Sequence, residues 1–186
     1  MKAMRMGWVL GLAALVAMGG AHLFQAPSAA DLMKTSTEKA KREKKGLMVG
    51  FHASWCGWCK KMEAVLARPE VKPVWEKHFV TLWLTVDEPA EKKALENPGA
   101  ADLRRDNKGE GQGIPFFYFV DPATGKTIVN SIRPASEGDK GGNVGCPVEP
   151  FEIDFFLSMV KKARPNLAND DLQVLRAGFE TIKKGG

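Results

Sequence analysis

The amino-acid sequence predicts an α/β fold in which a mixed central sheet is flanked by helices. Three observations point there. Helix-like and strand-like stretches alternate from residue 31 onward, the order expected when helices cover a sheet. A helical run separates the strand-like stretches at 47–52 and 79–87, and a crossover of that length implies a parallel pair. Between 116–120 and 127–132 stands Asp121-Pro122-Ala123-Thr124-Gly125, turn chemistry that folds two strands back on each other as an antiparallel edge.

Each element has a local reason. Residues 31–45 read as a helix, because Thr35-x-x-Glu38 has capping-box spacing and Gly46 stops the run. The unbroken apolar run at 47–52 reads as a fully buried strand. A helix opening near Cys56 is expected to reach Arg68, where Pro69 and Pro73 should break or kink it, with a short helical turn at 74–78. Residues 79–87 form the strongest strand, rich in β-branched and aromatic side chains. The stretch 88–105 is helical in pieces, interrupted at Asn97-Pro98-Gly99, and 106–113 is a polar, glycine-rich loop. Residues 133–149 show no periodicity and are expected to be the least ordered. Phe151, Phe155 and Phe156 anchor an amphipathic helix at 150–164, closed by Pro165. An added C-terminal helix at 170–184 carries an apolar stripe of Leu172, Leu175, Phe179 and Ile182 that should pack on the body.

The apolar fraction of 44%, with five Trp and ten Phe, supplies one sizeable core, so 31–186 reads as a single domain. The formal net charge is +5, and removing Lys2 and Arg5 brings it to +3. That is too modest for a nucleic-acid binder, which needs a clustered basic face. Residues 1–30 read as an export signal: Lys2 and Arg5 form a positive start, 7–18 an apolar centre, and Ser28 and Ala30 fit a cleavage site before Asp31. The alternative is an uncleaved membrane anchor over 7–24, at the short end for a span. Either way the rest of the chain is exported, and a bacterial periplasm is the expected setting.

The chemistry is expected at Trp55-Cys56-Gly57-Trp58-Cys59-Lys60. Two cysteines at this spacing can close a small disulfide ring or reopen it to a redox-active dithiol. A helix N-terminus at Cys56, with Lys60 and Lys61 nearby, favours the thiolate that attacks in disulfide exchange. The third cysteine, Cys146, is then left over. It stands in Gly145-Cys146-Pro147, expected to be a flexible loop, either as a thiol without a role or as a regulatory partner for Cys56. A zinc site would need four ligands, and no second Cys-x-x-Cys or His pair is present. His52-x-x-x-Cys56-x-x-Cys59 could instead hold Cu(I), which gives a copper-binding chaperone or assembly factor as the alternative function.

The run Phe51-His52-Ala53-Ser54-Trp55-Cys56-Gly57-Trp58-Cys59-Lys60-Lys61-Met62-Glu63 resembles the active-site segment of the thioredoxin-like proteins, closest to their exported bacterial branch. Gly113-Ile114-Pro115-Phe116 resembles that family's cis-proline segment, and residues 121–126 its hairpin. The likeness spans about 46–132, with 151–162 as the family's closing helix. It implies a thioredoxin-like fold, thiol-disulfide exchange with protein substrates, and Pro115 in the cis form beside the cysteines. It also implies that a substrate chain pairs with the backbone of Ile114. No organic cofactor is implied, since the dithiol is the redox centre, but a membrane redox partner must reset it. Two departures stand out. Thioredoxins proper usually carry a buried Asp where this chain has Gly50, and Gly-Pro where it has Gly57-Trp58. The direction of electron flow therefore stays open among reductase, oxidase and isomerase.

Within that reading Cys56 attacks from a position open to solvent and Cys59 resolves the mixed disulfide from the buried side. Glu63 lies one turn beyond Cys59, and either takes a proton when Cys59 attacks or pairs with Lys60 on the helix surface. His52 either packs near the site as a core histidine or stabilises the Cys56 thiolate. Trp55 and Trp58 are expected to form an apolar rim for an extended substrate.

Overall fold

The computed structural model describes residues 25–136 and 140–182; residues 1–24 of the signal expected over 1–30 lie outside them. Four strands, β1 (Gly46–His52), β2 (Phe79–Thr85), β3 (Phe116–Val120) and β4 (Thr127–Asn130), form one sheet in the order β2-β1-β3-β4. β1 and β2 are parallel, while β3 runs antiparallel to both β1 and β4. This is the mixed sheet with an antiparallel edge that the crossover and the Asp121 turn imply.

Among the described residues six α-helices cover it: α1 (Ala29–Glu43), α2 (Gly57–Leu66), α3 (Lys72–His78), α4 (Ala100–Asp106), α5 (Pro150–Ala163) and α6 (Asn169–Glu180). Successive strand side chains point to opposite faces, so a central strand feeds two cores at once. Met48, Phe117 and Phe119 face α2, α3, α5 and α6, whereas Leu47, Val49, Phe51, Phe116, Tyr118 and Val120 face α1 and α4. Every residue of β3 is buried, which is why its sequence shows no alternation. α6 docks through Leu175 and Phe179, with Phe179 4.8 Å from Phe156 between ring centroids.

Several boundaries differ from expectation for identifiable reasons. α1 begins at Ala29 because Ser28 caps it, its hydroxyl oxygen accepting from the Asp31 amide at 3.1 Å; Thr35 and Glu38 lie inside the helix. Pro73 does not break a helix but opens α3, in the first turn, where a missing N–H costs nothing. β2 ends at Thr85 rather than Asp87, which adopts a positive φ of 55°. The stretch expected to be least ordered instead returns on itself as β5 (Ile132–Arg133) and β6 (Gly142–Asn143), an antiparallel pair. Gly141 and Gly142, at φ 69° and 118°, supply backbone conformations that side chains disfavour. α6 ends at Glu180, and residues 183–184 of the expected helix lie outside the described ones.

Candidate active site

Parallel strands deliver the segments after β1 and β2 to the same end of the sheet, and the site is built there. β1 runs into a tight turn in which the Cys56 amide donates to the Ala53 carbonyl at 3.0 Å. The segment after β2 braces this turn. Glu88 is almost fully buried, and its carboxylate accepts from the Ser54 amide and, at 2.7 Å, from the Ser54 hydroxyl. The Trp55 indole N–H donates to the Asp87 carbonyl at 2.8 Å. Sequence reasoning missed Glu88. The parallel register, with His52 opposite Thr85, was the signal that could have brought residues 87–88 to the turn.

Cys56 is the N-cap of α2, and its sulfur accepts from the Cys59 amide at 3.1 Å. The partial positive charge of the helix start therefore faces the sulfur, as the sequence predicts. Cys56 and Cys59 form a disulfide. The peptide between Ile114 and Pro115 is cis, and the Ile114 carbonyl oxygen lies 3.6 Å from the Cys56 sulfur. A disulfide sulfur has no proton to donate, so this is a van der Waals approach that an S–H could turn into a weak hydrogen bond in the dithiol.

Accessibility corrects the expectation of an open sulfur. Cys56 is only 2% exposed and Cys59 1%, because both pack with Ala53 and Ile114. What is open is the surround. Trp55 and Trp58 are 57% and 46% exposed, and the Lys61 ammonium sits 4.5 Å from the centroid of the Trp58 ring. A groove of about 640 Å³ runs past Trp58, Ile114 and Pro115 toward Asn143 and Cys146.

Glu63 pairs with neither Cys59 nor Lys60. Its carboxylate meets His52 Nδ1 at 2.7 Å, while His52 Nε2 lies 3.3 Å from the Thr85 hydroxyl and the imidazole stacks on Trp83. Cys146 lies in the loop between β6 and α5 as a buried free thiol, pushed up to about 12 by burial first and by the nearby Glu152 second. The copper alternative finds no support. The two sulfurs are bonded to each other, His52 is engaged elsewhere, and among the described residues no three metal-ligating side chains gather.

The family model described as thioredoxin-like matches residues 31–122. This is a thioredoxin-like protein. No curated protein matches the chain. Among solved structures it is similar to the disulphide isomerase from Xylella fastidiosa Temecula1, at 21% identity over 63% of this chain and 80% of that one, with a TM-score of 0.46. A DsbH oxidoreductase is 23% identical over 87% of this chain and 96% of that one, with a TM-score of 0.44. The C-terminal domain of Neisseria meningitidis DsbD in its oxidised form is 22% identical over 57% and 84%, with a TM-score of 0.40. The family match and the strand order carry the thioredoxin-like assignment without these three.

Proposed function

We propose that this thioredoxin-like protein is an exported thiol-disulfide oxidoreductase acting on protein substrates. The observation that carries the reading is the Cys56–Cys59 disulfide at the N-terminus of α2, against the Ile114-Pro115 backbone. The reduced Cys56 thiolate attacks one sulfur of a substrate disulfide; that S–S bond breaks and the other substrate sulfur leaves as a thiolate. Cys59 then attacks the Cys56 sulfur, releasing the second substrate thiol and regenerating the internal disulfide. Two electrons pass from the dithiol to the substrate, and the reverse sequence donates a disulfide. No further cofactor is required.

Trp55 and Trp58 serve as the apolar rim, and the Ile114 backbone aligns an extended substrate segment. Glu63, in its pair with His52, takes the proton when Cys59 becomes the nucleophile. The low exposure of Cys56 means that a substrate sulfur must enter beside Trp58 and Ile114 rather than meet a protruding thiol. Processing or anchoring of residues 1–30 and a membrane partner that resets the pair complete the reading. Among the described residues no helix is long and apolar enough to cross a membrane.

The test is a trapping experiment. Reduced Cys59→Ser protein offered a disulfide-bonded substrate should accumulate a mixed disulfide through Cys56, which wild type resolves. The reduction potential of the Cys56–Cys59 pair then assigns the direction of electron flow. A Cys56 thiol that neither forms the adduct nor reacts with alkylating reagents at neutral pH overturns the proposal.

A further inference from the structure

One side chain lining the groove beside Ile114 and Pro115 has every polar position used. Asn143, at the end of β6, donates from Nδ2 to the Gly113 carbonyl at 2.7 Å and to the Pro115 carbonyl at 3.1 Å. Its Oδ1 accepts from the Ser131 hydroxyl at 2.7 Å and from the Gly145 amide at 3.3 Å. Two carbonyl partners on one side and two donors on the other fix which end of the amide is nitrogen. Ser131 continues the bracket: its hydroxyl accepts from the Phe117 amide at 3.1 Å, and its own amide donates to the Phe117 carbonyl at 2.8 Å.

Through the bend at Ile114-Pro115 and into β3, the Gly113 and Pro115 carbonyls and both backbone polar groups of Phe117 turn to one edge, away from β1. The sheet supplies no strand to the first edge, because β4 stops at Asn130. Asn143 and Ser131 satisfy that edge instead. On the second edge Phe116 pairs with Phe51 of β1, and the Ile114 carbonyl faces Cys56. The Ile114 amide has no hydrogen-bond partner among the described residues. A segment pinned at 113, 115 and 117 thus has one residue left to offer, at the place where an incoming chain would lie beside the disulfide.

We infer that Asn143, seconded by Ser131, is a positioning residue that stands in for a missing strand, holding the Ile114 backbone in register so that an extended substrate pairs with it next to Cys56. The inference rests on the proposed exchange reaction and adds to it what fixes the substrate-pairing backbone. It also accounts for the ordered return of residues 140–145 onto the site, which composition alone reads as slack. Asn143 itself touches neither sulfur; its effect passes through the backbone it holds.

The experiment compares full-length wild type, Asn143→Ala and Asn143→Asp with two substrates. Insulin presents a disulfide on an extended chain, whereas bis(2-hydroxyethyl) disulfide presents no backbone to pair. Loss of the bracket is expected to raise KM for insulin on the order of ten- to a hundredfold, with the rate on the small disulfide within about twofold of wild type. Asn143→Asp keeps the acceptor for Ser131 and Gly145 but loses both donors, so it should show the same split if Asn143→Ala folds poorly. Equal losses on both substrates in both variants, or wild-type behaviour on both, overturn the inference while leaving the exchange reaction standing. Wild type inert toward both substrates overturns the exchange reaction and this inference with it.

Discussion

The indole of Trp83 lies against the backbone of Gly50, filling the space that a side chain at residue 50 would need; an added Cβ would collide with three of its ring carbons. Gly50 points to the same face of β1 as Met48, toward α2. Where thioredoxins proper carry a buried carboxyl, this chain therefore has an aromatic ring, and the carboxylate–imidazole pair of Glu63 and His52 sits at that ring's other neighbour.

That arrangement predicts a strong one-sided coupling. Gly50→Ala should cost about 1–3 kcal/mol by overpacking, and Gly50→Asp more, because it also buries a charge. In a Trp83→Ala background, where the ring is gone, the added methyl at 50 should cost much less. Urea unfolding of the four proteins in this cycle measures the interaction. An equal penalty for Gly50→Ala with and without Trp83 would show that the ring does not occupy the space.

How much of this was legible beforehand follows from the range of the forces involved. β3 over Phe116–Val120 and the Pro150 start of α5 were readable, because apolar runs, turn chemistry and a helix-opening proline are local signals. The Cys56 cap was readable for the same reason: a strand-like run stops and a helical one starts at the motif. What was missed depends on partners far along the chain. Glu88 carries no local signal at the start of the stretch read as helical in pieces, and only the parallel pairing of β1 with β2 brings it to Ser54, 34 residues away. The glycines around Asn143 looked like slack, yet one amide bridging Gly113, Pro115, Ser131 and Gly145 orders them. Exposure of Cys56 was misjudged because Ile114, which covers it, arrives from a different segment.

The docking of α6 should depend on acid pH through one carboxylate. Asp171 receives His78 Nε2 at 2.7 Å and Lys77 Nζ at 3.0 Å, and hydrogen bonding to His78 first and to Lys77 second holds it below the usual carboxylate range. Lys77 is well exposed and screened, so the half-hidden His78 bond matters more. A carboxylate with a depressed folded pKa contributes stability above its unfolded value, about 3.9, and that contribution fades as pH falls through the lower folded value. Asp171→Asn should therefore cost about 1–2 kcal/mol near pH 6, and the gap from wild type should close below about pH 4. Denaturant midpoints of both proteins across that range check the sign. A gap that widens toward low pH would refute the assignment.

The start of the folded body gives the last prediction. Small residues at 26–30 invite a cut before Asp31, yet residues just upstream of that point are knitted into the structure. Ser28 caps α1, and Ala29 is 2% exposed with its amide donating to the Pro98 carbonyl at 2.8 Å. The Asn97 amide donates to the Pro27 carbonyl at 2.9 Å while its oxygen accepts from the Thr85 amide at 2.7 Å, so this side chain ties the incoming chain to the end of β2. A protein beginning at Asp31 loses the cap, the buried methyl and one partner of a buried amide together. It should be less stable than one beginning at Gln25 by about 2–4 kcal/mol, taking a cap at about 1 kcal/mol and each lost buried hydrogen bond at about 1. Urea midpoints of the two proteins decide it, and mass spectrometry of the chain recovered from cells reports which start is used. Equal midpoints would mean that residues 27–30 only lie along the body without supporting it.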